Sequence, residues 1–172
     1  GVFAILVQSP DTYGSVWEDE EFIKKVQGKS IKSILSCDLL SLCLLNSPSA
    51  MGFDVAVGSS QRFGVSPNYG GPYAGFFATK QEYKRRLPGR IVGISQDNRG
   101  RQAYRLALQT REQHIRRQKA TSNICTAQAL LANISGFYAI YHGPQGLIKI
   151  AEEIYKKTNM LCDFIKKQGY QV

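Results

Sequence analysis

Val2-Phe3-Ala4-Ile5-Leu6-Val7, then Phe22-Ile23-Lys24-Lys25-Val26-Gln27, then Ile31-Lys32-Ser33-Ile34-Leu35-Ser36 are the runs whose reading decides the fold. The first is continuously apolar and short, the pattern of a buried strand, and Ser9-Pro10-Asp11 ends it. The second lies in Glu18 to Gln27, where Phe22, Ile23 and Val26 share one side of a helix. The third returns to strand character. Further strands are predicted at Asp54 to Val57, between Gly52 and Gly58, and at Tyr73 to Ala78, after the breaker run Ser66 to Pro72. Strands alternating with helical or irregular connections predict an α/β fold with a parallel or mixed sheet.

Beyond the fourth strand, Lys80 to Arg86 reads as a helical turn or two before Pro88-Gly89. Ile91 to Ser95 and Tyr104 to Leu108 read as extended, with Asp97-Asn98-Arg99-Gly100 as the turn between them. The tail is helical. Ile124 to Tyr141 carries Leu130, Leu131, Ile134, Phe137, Tyr138 and Tyr141 at helical spacing, and His142-Gly143 stops it. Pro144 can open the next helix, because its missing N–H costs nothing in a first turn. There Leu147, Ile150, Ile154, Leu161 and Ile165 form the apolar stripe.

The chain of 172 residues suffices for one domain with one sizeable core. No apolar run approaches the ~20 residues that span a bilayer, so no membrane partner is expected, and nothing at the start reads as a targeting segment. The chain opens directly in a strand without Met and closes just after a helical pattern, so it reads as an incomplete piece of a larger polypeptide. Cys37, Cys43, Cys125 and Cys162 form no C-x-x-C pair, and there are two His residues. No metal site is therefore expected, and the cysteines read as reduced, buried thiols.

The net charge is +9, and all of it lies between Lys80 and Lys119, where twelve Lys or Arg face three acids. A local basic block implies a local anionic partner. The sharpest feature is Arg116-Arg117-Gln118-Lys119-Ala120-Thr121-Ser122-Asn123-Ile124. Ser122 or Asn123 would cap the following helix. Its start would present unpaired N–H groups beside three cations, with no acid in the first turn, a plausible anion site. An ordinary capped helix flanked by solvated charges is the plainer alternative. His114 is a candidate base, although a lone His more often holds structure. Gly58 to Gly64 lacks both the P-loop ending and the G-x-G-x-x-G spacing.

These residues also resemble a known family. Gly58-Ser59-Ser60-Gln61-Arg62-Phe63-Gly64-Val65, then Tyr69-Gly70-Gly71-Pro72, is similar to a signature of the glycine decarboxylase P-protein of the glycine cleavage system. So are the runs Tyr104 to Arg117 and Lys119 to Asn133. The resemblance spans essentially the whole chain. Ser66 stands where the family usually has Pro, and Tyr73 where eukaryotic members often have His.

The resemblance implies an α/β segment of the type I pyridoxal-phosphate-dependent transferase fold, within the amino-terminal half of the parent. Residues 1–120 would belong to the end of the large domain. Residues 121–172 would form a helical connection and the start of the small domain. It further implies an oxidoreductase, glycine dehydrogenase (decarboxylating), that decarboxylates glycine on pyridoxal phosphate and passes the aminomethyl group to the lipoyl arm of H-protein. The implied partners are a lysine-bearing carboxy-terminal half and a dimer of two-half units, and eukaryotic members imply a mitochondrial location. No catalytic residue is carried over, because the comparable strand-to-loop region reads Ser59-Ser60-Gln61-Arg62, without the Schiff-base lysine. Arginine stays protonated and does not replace it. The isolated chain is accordingly expected to be inactive. The residues expected near cofactor or substrate, across the half-half interface, are His114, Arg116, Arg117, Thr121, Ser122 and Asn123.

Two other readings compete. The chain as a non-catalytic interaction module that supports the working half is compatible with the family. A basic nucleic-acid-binding domain would need exposed aromatics interleaved with the cations; only Tyr83 and Tyr104 are near, so no nucleic-acid partner is expected.

Overall fold

The computed structural model describes residues 1–17, 19–108, 112–121 and 127–171, without the side chain of Glu20. They form two compact units: residues 1–78 together with 128–172, and residues 79–127.

In the first unit β1 (Ala4–Ser9), β2 (Lys32–Cys37), β3 (Val55–Ser59) and β4 (Gly75–Thr79) lie side by side in chain order. β1 pairs parallel to β2, and β2 parallel to β3. The α1 helix (Glu20–Gly28) makes the first crossover, starting where the Asp19 carboxylate accepts the Phe22 N–H at 2.8 Å. It buries Ile23 and Val26, as the spacing predicts, while Phe22, expected on the same side, is exposed. The core joins Ile23 to Leu35, Cys37, Phe53 and Ala56, with Ile5, Val7 and Trp17 packed around it.

One expectation is corrected here. β1 is not a buried strand: Val2, Phe3 and Leu6 are exposed. It is the edge strand of this sheet, and only its Ile5 and Val7 side meets the core.

The register of β2 on β3 is held by a buried polar clasp. The Asp54 carboxylate accepts the Ser33 N–H at 3.0 Å and lies 3.4 Å from the Ser33 hydroxyl. In return the Asp54 N–H donates to the Ser33 carbonyl at 3.0 Å. Ser33 is fully buried and Asp54 nearly so. A carboxylate out of water is tolerated only when such donors satisfy it.

The α3 helix (Ala129–Lys167) is interrupted at Gly143, whose φ of 61° and ψ of 177° leave the helix. The break falls where His142-Gly143-Pro144 predicts it. The described helix begins at Ala129, with Gln128 as N-cap and no side-chain cap bond; the start expected at Ile124 lies outside the described residues. Of the predicted stripe, Leu147, Ile150 and Ile165 are half-buried, while Ile154 and Leu161 are exposed.

In the second unit, Gln81–Arg86 form the expected helical turns, as a 3-10 helix. β5 (Ile91–Gln96) and β6 (Gln102–Leu108) make an antiparallel hairpin. Its turn is the predicted one: the Asp97 carboxylate accepts the Arg99 and Arg101 N–H groups at 2.8 and 2.9 Å and pairs with the Arg101 guanidinium at 2.9 Å. The backbone N–H groups of Arg101 and then Arg99 hold the Asp97 carboxyl below its ordinary 3.8, assisted by the Arg101 side chain.

Two outcomes follow from these contacts. Asp54→Ala leaves buried donors unmatched and is expected to cost about 1–3 kcal/mol of stability, read from the midpoint of urea unfolding. Because the folded Asp97 carboxyl is depressed, its contribution is present above 3.8 and is lost as pH falls through the folded value. Amide exchange at Arg99 and Arg101, corrected for intrinsic rate, should therefore rise in acid, and Asp97→Asn should show the faster exchange at neutral pH.

Candidate functional site

The cation-rich segment lies in the second unit. His114 and Arg116 sit on α2 (Gln113–Arg116), a single turn, and Arg117 opens the 3-10 turn Arg117–Lys119. All three are exposed, as is Thr121. Ser122 and Asn123 lie outside the described residues. The helix start expected beside them lies outside the described residues as well.

Two features set this segment apart from a solvated charge run. Arg117 has φ 52° and ψ −119°, a backbone state that costs a non-glycine residue about 1–3 kcal/mol and persists only when its surroundings impose it. Glu112, immediately before α2, is fully buried and pairs with the Arg90 guanidinium at 3.7 Å. That pair ties the base of the loop to the approach to β5. His114 is an exposed residue on a single helical turn, without the burial that would build a base site around it.

A second constellation, not singled out as a site from the sequence, lies in the first unit at the carboxyl ends of β1, β2 and β3. A cleft of about 330 Å³ is lined there by Ser9, Ser36, Cys37, Asp38, Ser59 and Arg62, among others. Arg62 pairs with Asp38 at 3.3 Å. The other Asp38 oxygen accepts the Leu40 N–H at 2.9 Å. Ser9 Oγ accepts the Trp17 N–H at 3.0 Å, and Ser59 Oγ accepts the Gln61 N–H at 3.1 Å. Burial, with Asp38 adding to it, pushes the Cys37 thiol up, which keeps it neutral and a poor nucleophile at neutral pH. The Cys43 thiol is raised for the same two reasons in the same order.

One wall of this cleft is closely packed around Gly58. A Cβ on Gly58 would come within 2.1 Å of the Cys37 carbonyl oxygen and 2.6 Å of the Phe76 ring. Beyond it, the Ser135 hydroxyl of α3 donates to Ser60 Oγ at 2.9 Å, and the Ser60 hydroxyl donates to the Ala74 carbonyl at 3.0 Å. The Tyr138 ring packs on Phe63, with ring centroids 5.8 Å apart. Ligands of parallel α/β sheets bind at this carboxyl edge, and that position was the available signal: Ser9, Asp38 and Ser59 each end or follow a predicted strand.

The residues present do not fit covalent attachment of pyridoxal phosphate. Among the described residues no lysine lines the cleft; the long cationic side chain there is Arg62, whose guanidinium does not lose its proton to form an imine. Among the described residues no group of three or more His, Cys, Asp or Glu is placed to hold a metal. No described helix is long and apolar enough to cross a membrane.

The family model of the glycine cleavage system P-protein matches residues 1–172. Glycine dehydrogenase (decarboxylating) of Pelagibacter ubique is 58% identical over 167 residues, covering 97% of this chain and 18% of that protein. The pea relative, glycine dehydrogenase (decarboxylating), mitochondrial, of Pisum sativum, is 54% identical over 171 residues, covering 99% of this chain and 16% of that protein. The crystal structure of a glycine decarboxylase (P-protein) of the glycine cleavage system, in inhibitor-bound form, superposes with a TM-score of 0.80 at 41% identity. That match covers 85% of this chain and 33% of the other. The chain thus spans under a fifth of the length of these curated relatives.

The Arg90–Glu112 pair has a measurable consequence. Arg90→Ala is expected to destabilise residues 79–127 by about 1 kcal/mol, the worth of an ion pair to a buried carboxylate discounted for the half-exposed arginine. Hydrogen exchange of α2 and β5 should rise while that of β1 to β3 stays unchanged.

Proposed function

The chain belongs to the glycine cleavage system P-protein family, and from that membership we propose that it is a supporting segment of an enzyme that decarboxylates glycine. The reading rests on the match along the whole chain, residues 1–172. In the full protein the activity would be that of glycine dehydrogenase (decarboxylating), with glycine as substrate and the lipoyl arm of H-protein as acceptor of the aminomethyl group. Pyridoxal phosphate would serve there as the electron sink for the carbon–carbon bond that breaks. The amine that holds it comes from another part of the protein, a lysine-bearing carboxy-terminal half, because the strand-end cleft of this segment has none.

This segment's contribution is positional. The loop of His114, Arg116, Arg117, Thr121, Ser122 and Asn123 would meet anionic groups, a phosphate or a carboxylate, at the boundary between halves. The imposed backbone of Arg117 and the buried Glu112 at the loop's base support that reading, since strain of this kind collects at ligand-clamping loops. The division into large-domain residues 1–120 and small-domain residues 121–172, and a dimer of two-half units, belong to the same proposal. So does a mitochondrial location, which the pea relative's name supports while the bacterial relative is as similar.

The non-catalytic supporting role has an observation of its own. On α3, Leu130, Phe137, Ile140 and Tyr141 are exposed by 68% or more. An apolar surface of this extent is ordinarily covered by another protein surface.

In the full-length enzyme, Arg116→Ala and Asn123→Ala are expected to lower kcat/KM for glycine by about ten- to a hundredfold, the worth of one charge-assisted hydrogen bond. Steady-state release of carbon dioxide measures it. Unchanged kinetics in both variants would remove the loop from the active site. The 172-residue chain alone is expected to release none.

A further inference from the structure

The cleft at the carboxyl ends of β1, β2 and β3 gathers both signs of charge and several hydroxyls in about 330 Å³, the lower end of small-ligand pocket sizes. Arg62 touches Asp38 through one terminal nitrogen, at 3.3 Å. Its Nε and second terminal nitrogen remain as the flat edge that a carboxylate takes up two-pronged. Asp38 gives one oxygen to the Leu40 N–H, and the oxygen facing Arg62 retains a further lone pair. The Ser9 and Ser59 oxygens already accept backbone N–H groups, so their own O–H groups are left to donate. Cys37 adds no charge, because burial keeps its thiol protonated.

The formal charge at this mouth is therefore zero, divided between a fixed cation and a fixed anion in contact. A lone anion or a lone cation meets repulsion from one of them. A zwitterion of matching span meets each charge with its opposite. We propose that this cleft is a binding site for a small α-amino acid, with the ligand's carboxylate on Arg62 and its ammonium on Asp38. The serine hydroxyls complete the carboxylate's shell, and the tight seam at Gly58 keeps the wall from yielding. Arg62 is half-exposed in the chain, with 48% of its side chain open, so a ligand can reach it.

The test is arginine footprinting on the full-length protein that carries this chain. Phenylglyoxal modification of Arg62 is followed by peptide mass spectrometry, with glycine, the smallest such zwitterion, as probe. Arg101, 69% open, is the internal reference. Glycine should slow modification of Arg62 several-fold and leave Arg101 unchanged. Acetate and methylammonium at equal concentration should not. Asp38→Asn should abolish the protection while Arg62 stays reactive, and Asp38→Glu should restore part of it. Equal protection by acetate would overturn the proposal in favour of a bare anion site. No protection by glycine would overturn it outright. So would an Arg62 that reacts only after denaturation, which would mean the rest of the protein fills the cleft. The footprint reads Arg62 itself, so its result is independent of whether the loop variants alter decarboxylation.

Discussion

Ser33 and Asp54 clasp β2 to β3 in a place without water, and the order of the first unit depends on that clasp. Two backbone N–H groups, a carbonyl and a carboxylate converge there, with Ser33 fully buried. A slip of one residue would turn every side chain of a strand to the opposite face. Leu35 and Cys37 would leave the core, and the buried carboxylate would lose its donors. The polar contact therefore selects one alignment, and the apolar contacts supply most of the free energy.

That alignment has a chemical consequence. With β1, β2 and β3 in register, Ser9, Asp38 and Ser59 arrive together at the carboxyl edge, where the unpaired ends of parallel strands leave room for a ligand. Glycine at position 58 lets the β2 and β3 ends approach Phe76 closely enough to form a firm wall. What gathers there is a neutral pair of opposite charges, with no amine. The edge offers paired charges and hydroxyls rather than a nucleophilic amine. The second unit carries a different asset: an excess of cations on a loop whose base is a buried carboxylate and whose backbone at Arg117 is held in a costly state.

Much of the fold was legible in the sequence. The first four strands, the α1 helix, the turn at Asp97 and the break at Gly143 all come from local rules: short apolar runs, helical spacing, and the turn chemistry of Asp, Gly and Pro. Local rules are silent on position within a sheet: the apolar run of β1 predicts a buried strand, but as an edge strand it has only Ile5 and Val7 against the core. Of the candidate site, the loop's charge was legible. The burial of Glu112 was not, since nothing in Arg111-Glu112-Gln113 marks one charge for the interior.

By itself, the sequence determined the element order, the concentration of charge between Lys80 and Lys119, the family, and the lack of a lysine at Ser59 to Arg62. These are properties of composition and near neighbours along the chain. Only the tertiary structure decided that Asp38 meets Arg62, that Arg90 meets Glu112, and that Ser60 meets Ser135. Those partners are 22 to 75 positions apart. Their meeting depends on strand register and helix docking, which the packing of the whole unit sets and no local propensity encodes.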